Sequence, residues 1–181
     1  QCMQDMARYI RDPRYVRVEG RPLVIVYRAG LLEDPLATTN RWRQYCRDAG
    51  IGELFLAAAR IFGVEDPRQY GFDAAVGFPP NSLTNRPPTV QVPGLVDGFE
   101  GAVYDYEQLA QWNPVPETPS PYFDGVSPGW DNTARRGKRA CILANSHPHA
   151  YEQWLERVVA STIARNTPDH RLVFVNAWNE W

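Results

Sequence analysis

Arg171-Leu-Val-Phe-Val-Asn-Ala-Trp-Asn-Glu-Trp181 is the stretch whose reading decides the fold. Leu172 to Val175 is a continuous apolar run, which predicts a strand buried on both faces, as in a parallel sheet beneath helices. The chain then turns polar and aromatic through Asn176, Trp178, Asn179, Glu180 and Trp181. In parallel α/β folds the C-terminal strand ends open onto the ligand crevice or barrel mouth. A carboxylate between two indoles and beside two carboxamides is costly to place near a core without a task. Aromatic faces beside amides suit a sugar, with its apolar ring face and its rim of hydroxyls. Glu180 is therefore read as an acid/base carboxylate in a glycan site, with Asn176, Trp178 and Asn179 as substrate-binding residues. The alternative is a glutamate that has simply reached solvent at a strand end.

Working outward, the same pattern recurs. Arg21-Pro-Leu-Val-Ile-Val-Tyr-Arg28, Glu53-Leu-Phe-Leu-Ala-Ala-Ala59 and Phe72-Asp-Ala-Ala-Val-Gly-Phe-Pro-Pro80 each read as a buried strand with polar, aromatic or proline residues at or after its end. Met3, Met6, Ala7 and Ile10 fall at helical spacing before the break at Asp12-Pro13. Thr38 or Thr39 is expected to cap a helix that Gly50 stops. Residues 81–100, rich in Pro, Asn, Thr and Gly, read as a long loop on the strand-end face. Ala102 to Glu107 is extended and runs into a helix near Leu109, and Asn113 to Pro121 is a stiff, proline-rich connection. Phe123 to Thr133 is a strand entering a turn. Ser146 is expected to cap a helix with an apolar stripe of Tyr151, Trp154, Leu155, Val158, Val159 and Ile163. Alternating strands and helices are the order of parallel βα units. A doubly wound sheet and part of a (β/α)8 barrel both fit, and a whole barrel takes ~250 residues. No Gly-x-Gly-x-x-Gly follows a strand, which weighs against dinucleotide binding.

The 181 residues carry 44% hydrophobic, 12% aromatic and 22% charged side chains, enough for one core. A formal charge of −2 disfavours nucleic acid as a partner. No apolar run approaches the ~18 residues of a membrane span. Cys2, Cys46 and Cys141 are scattered and odd in number, against both a disulfide framework and a cysteine zinc site. The first residue is Gln and no leader-like segment follows it, so a piece of a longer protein is expected. A cytoplasmic location is the expectation, with the periplasm or secretion as the alternative.

Three motifs carry a resemblance: Pro128-Gly-Trp-Asp-Asn-Thr-Ala-Arg-Arg136, Tyr151-Glu-Gln-Trp-Leu155 and Asn176-Ala-Trp-Asn-Glu-Trp181. Together with the blocks at Asp12–Arg28 and Phe72–Pro80, they resemble the WbsX family of glycosyltransferases of bacterial surface polysaccharide and lipopolysaccharide O-antigen synthesis. That family is related to glycoside hydrolase family 99. The resemblance covers nearly the whole chain, in order. It implies a TIM-type (β/α)8 barrel of which this chain supplies about the fourth to eighth strands. Residues 1–181 would then be one incomplete catalytic domain, cut before the last loop and helix. Family 99 enzymes cleave α-mannosidic linkages with retention and without a metal or other cofactor. One carboxylate takes a proton from the sugar's 2-hydroxyl, and a second, three residues later in an Asn-Glu-Trp-x-Glu-Gly pattern, protonates the leaving oxygen. Glu180 matches the first carboxylate, and the second would lie beyond Trp181, so the fragment alone is expected to be inactive.

The Pro-Gly-Trp-Asp-Asn-Thr turn resembles Pro-Gly-Tyr-Asp-Asp-Thr of the hydrolases. The match implies that Asp131 and Asn132 bond sugar hydroxyls and that Trp130 stacks on the ring, although Asp-Asn after Gly also suits an ordinary turn. Tyr104, Asp105 and Tyr106 are substrate-binding candidates at a strand end, where Asp105 has helix capping as its other reading. Arg135, Arg136, Lys138 and Arg139 read as a solvated loop. His147 and His149 read as capping or surface residues, with no partners at metal-ligand spacing. The expected function is that of a carbohydrate-active enzyme on an α-linked bacterial or mannan-type polysaccharide. Two alternatives stand beside it: a surface-polysaccharide glycosyltransferase and a non-catalytic glycan-binding barrel. The chain holds no glycine-rich phosphate loop and no Asp-x-Asp for a nucleotide sugar, which favours hydrolysis.

Overall fold

The apolar runs of the sequence are strands in the structure, a computed structural model that describes residues 2–61, 63–83, 90, 92–112 and 120–178. The first elements are α1 (Cys2–Ile10), β1 (Arg17–Val18), β2 (Arg21–Val26), α2 (Pro35–Asp48), β3 (Phe55–Ala59) and β4 (Ala74–Val76). They are followed by β5 (Ala102–Asp105), α3 (Tyr106–Gln111), β6 (Tyr122–Val126), α4 (Thr133–Arg136), β7 (Cys141–Ala144), α5 (Pro148–Arg165) and β8 (Val173–Val175). Every named strand pairing is parallel except the β1–β2 hairpin. The described residues divide into two units. The first falls within 2–77, 120–123 and 166–172, and the second within 78–112, 124–165 and 173–178.

In the first unit β2, β3, β4 and the opening residues of β6 pair in sequence, with Leu23 opposite Phe55, Ala57 opposite Ala74 and Ala75 opposite Tyr122. All five residues of β3 are buried, as a strand covered on both faces requires. Met3, Ile10, Val24, Cys46, Leu54, Leu56 and Phe72 form the core beneath α1 and α2. β2 is covered less completely than its apolar run implied, since Ile25 is exposed. The start of α2 corrects the expected cap. Asp34 accepts from Ala37 N at 2.9 Å and Pro35 opens the helix, a stronger start than a threonine four residues on. Thr39 instead lies fully buried inside α2, its hydroxyl donating to Pro35 O and Leu36 O.

In the second unit β5 and β7 pair from Ala102 opposite Cys141 to Asp105 opposite Ala144, and Asp124–Val126 of β6 pair with β8. Trp154 of α5 is the largest fully buried side chain among the described residues, with Tyr106 edge-on to it at 5.8 Å. Two expectations are corrected. β8 is not buried on both faces: Val175 is exposed, and among the described residues the strand pairs with β6 alone. The buried face of α5 is Ala150, Trp154, Val158 and Thr162, while Val159 and Ile163 are exposed. Thr162 turns inward because its hydroxyl donates at 2.8 Å to the carboxylate of Asp124, buried on β6. The described residues of the 81–100 stretch carry no helix or strand, as a loop would, and positions 113–119 of the proline-rich connection lie outside the described residues.

Candidate functional site

Parallel strands present their side-chain chemistry at their C-terminal ends. In the second unit the segments that follow β6, β7 and β8, with the first turn of α5, line an open cavity of about 340 Å³. Its walls are Pro128, Ser146, His147, Pro148, Tyr151 and Trp178.

The segments that carry these walls are held by definite bonds. Tyr106 Oη donates to Ser127 O at 2.7 Å, and the buried Ser127 hydroxyl donates to Gly129 O at 2.8 Å, which fixes the turn carrying Pro128. After β7, Asn145 adopts φ +62°, and its side-chain amide donates to Asp105 Oδ2 at 2.9 Å. His147 uses both ring nitrogens: Nδ1 accepts from Ala150 N at 3.3 Å, and Nε2 lies 2.9 Å from Glu107 Oε1. The first of these bonds makes His147, rather than the expected Ser146, the cap of α5, as the carbonyl of His147 also accepts from Tyr151 N. Burial raises the Tyr151 phenol above its ordinary value, so its proton is held into still more alkaline solution. After β8, Asn176 N donates to Val126 O at 2.8 Å and its side chain donates to Pro79 O at 2.5 Å. Ala177 then takes φ +56°, a left-handed position that costs an alanine energy, and sends out Trp178, 69% exposed at the cavity wall.

Of the residues singled out from the sequence, Trp178 lines this cavity. Asn176 stands beside it as an anchor for the Pro79 carbonyl. Tyr104 and Tyr106 are buried in the core cluster, and the Tyr106 hydroxyl is committed to Ser127. Asp105 caps α3, accepting from Gln108 N at 3.0 Å, which is the alternative weighed for it. Trp130, Asp131 and Asn132 run back along β7 to its first residues. Leu143 N donates to Trp130 O, Asp131 bridges Ile142, and Asn132 Oδ1 accepts from Cys141 N at 2.8 Å. Asp131 Oδ1 accepts from Thr133 N, so this pair builds a turn. Trp130 is buried, with the Arg135 guanidinium 5.8 Å from its ring centre. Asn179 and Glu180 lie outside the described residues.

Sequence reasoning missed Pro128, Ser146, His147 and Tyr151 as cavity walls. Their signal was weak because each has an ordinary local role, in a turn, a cap or a helix stripe. Among the described residues no group of three or more His, Cys, Asp or Glu is placed to hold a metal ion. No described helix is long and apolar enough to cross a membrane.

Parallel βα units with an aromatic-walled open cavity past their strand ends define an α/β protein of the kind whose ligands bind at those ends. The chain belongs to the family described as Glycosyltransferase WbsX, whose profile matches residues 1–181. It is 45% identical over 177 residues to the uncharacterized protein WxcX of Xanthomonas campestris pv. campestris strain B100, and equally to WxcX of a second strain of that pathovar. These matches cover 97% of this chain and 26% of each relative, so the chain spans about a quarter of their length. Among solved structures it resembles a glycoside hydrolase-like protein, with a TM-score of 0.59 and 18% identity over 99% of this chain and 50% of that one. At that identity the likeness is one of fold.

Proposed function

We propose that the chain is part of a carbohydrate-active enzyme acting on an α-linked bacterial or mannan-type polysaccharide, with Glu180 as its acid/base carboxylate. In this reading β2, β3, β4, β6 and β8 are about the fourth to eighth strands of a (β/α)8 barrel, and residues 1–181 are one incomplete catalytic domain. The observation that carries it is the cavity at the ends of β6, β7 and β8, where Trp178 forms a wall two residues before Glu180. A sugar ring can lie against that indole while a carboxylate on the same segment works at its edge. Family membership and the hydrolase-like fold support the substrate class. Asn179 and Trp178 are the binding partners proposed beside Glu180. Tyr104, Asp105, Tyr106, Trp130, Asp131, Asn132 and Asn176 take the supporting role of shaping the strand ends. The chemistry read here asks for no cofactor.

The second reading, a glycosyltransferase of O-antigen or surface-polysaccharide synthesis, is favoured by the family's description. The two separate in one experiment on the full-length protein, given α-mannan or O-antigen oligosaccharide with and without nucleotide sugars. Cleavage without nucleotide is expected, and turnover only with nucleotide would end the hydrolase reading. In the same assay Glu180→Gln is expected to lower kcat by about three orders of magnitude or more while sugar binding persists. Near-normal turnover in that variant would make Glu180 a surface residue.

A further inference from the structure

We propose that the cavity at the ends of β6, β7 and β8 is a subsite for a sugar unit bearing a methyl group, a deoxy or an acetylated sugar, and that Tyr151 and Trp178 set this preference. The proposal rests on the glycan reading above and narrows it. The size comes first. About 340 Å³ stands at the low end of the ~300–1,000 Å³ of small-ligand pockets, which suits one sugar unit rather than a length of chain.

The wall chemistry comes second. Pro128, Pro148, Trp178 and the Tyr151 ring are apolar surfaces. His147 looks polar in sequence, but both ring nitrogens already have partners: Ala150 N donates to Nδ1, and Glu107 Oε1 lies 2.9 Å from Nε2. Among the described wall residues, the side-chain groups left for hydrogen bonding are the hydroxyls of Ser146 and Tyr151. An ordinary hexose brings a hydroxyl at nearly every carbon, and those pressed against the proline, indole and phenol rings would give up water there without a partner among the described walls. A methyl group in that place loses nothing and gains apolar burial.

The walls are also pre-set. Asn145 is held by Asp105 and His147 by Glu107, so the β7–α5 segment is tied to the start of α3 before any ligand arrives. Two hydroxyls among otherwise apolar described walls give the subsite a hydrogen-bonding part and an apolar part.

The test is calorimetric binding to the full-length protein carrying Glu180→Gln, using matched glycosides. One pair is methyl 6-deoxy-α-mannoside against methyl α-mannoside. The other is methyl N-acetyl-α-glucosaminide against methyl α-glucoside. The methyl-bearing member of at least one pair is expected to bind about tenfold or more tightly, the scale on which an apolar pocket senses a carbon group. Tyr151→Ala and Trp178→Ala are expected to erase that ratio, and Tyr151→Phe to keep it. Trp178 is largely exposed, so its variant carries the test even if Tyr151→Ala fails to fold. Equal affinities within each pair, or a ratio that survives Trp178→Ala, would overturn the proposal while leaving the glycan reading standing. Binding of none of the four glycosides would overturn both.

Discussion

Asp124 sits in the middle of an apolar run, Tyr122-Phe-Asp-Gly-Val126, and its side chain is only 3% exposed. An ionised carboxylate there needs partners, and α5 supplies both: Thr162 donates to Oδ2 at 2.8 Å and the Arg165 guanidinium pairs with the same oxygen. Asp124→Ala would leave Arg165 unpaired beside the core and cut the β6–α5 tie. We expect a loss of about 3 kcal/mol, the lower end for breaking a buried pair, because Arg165 keeps 30% of its surface in water. Chemical unfolding of the variant against the parent would measure it, and an unchanged midpoint would show that the pair contributes nothing net. The sequence showed that this run is a strand and hid the buried charge, because Thr162 and Arg165 stand 38 and 41 residues away. The same distance explains the misread phase of α5. Thr162 is a poor core residue by type, and only its bond to Asp124 makes it one.

At the level of elements, the parallel β5–β7 pair begins at an unusually close approach. Ala102 N donates to Ala140 O at 2.8 Å, and a Cβ on the preceding Gly101 would sit 2.1 Å from that same oxygen and 2.9 Å from Ala140 N. Both neighbours are backbone atoms of the entry to β7, so the strain cannot be relieved by a rotamer change. Gly101→Ala is therefore expected to spread the two strands apart and to cost on the order of 3 kcal/mol, the upper range for overpacking. Thermal denaturation would read this as a lower Tm, together with looser hydrogen-exchange protection at Val103 and Leu143. Parent-like values at both would mean the ladder shifts without strain. The strands themselves were legible, since runs such as Leu54–Ala59 and Leu23–Val26 have no other economical reading. Their caps were less so. Asp34-Pro35 and His147-Pro148 both start helices: the first is a strong start by residue type, whereas His147 caps beside a serine that is the better cap former by type, so there only the tertiary position of the helix chose.

Across the whole molecule, the parallel βα order was readable because hydrophobic periodicity is local, whereas the cavity was not. Pro128, His147, Tyr151 and Trp178 come from three separate strand ends, and nothing within any one segment says that they meet. One global property does follow from burial summed over the chain. Tyr104, Tyr106, Tyr151 and Tyr15 all have their phenols pushed up by desolvation, as do the thiols of Cys46 and Cys141, the last to about 11 from an ordinary 9.0. Each group holds its proton more tightly folded than unfolded. Below the unfolded values no penalty exists. As pH rises through them the unfolded chain ionises first, so stability falls, for Cys141 between about 9 and about 11. The unfolding midpoint is therefore expected to drop steadily above pH 9, and Cys141→Ala to flatten part of that slope. The same shift predicts the labelling order of the thiols. At pH 8 Cys141 at about 11 holds about 100-fold less thiolate than it would at its ordinary 9.0, so Cys141 and the buried Cys46 should wait for unfolding, while Cys2 is open to iodoacetamide in the native protein because it is exposed. Mass spectrometry of the time course decides it. Prompt alkylation of Cys141 in the folded protein would mean that the β5–β7 pair opens readily, and would remove the thiol contribution to the alkaline slope.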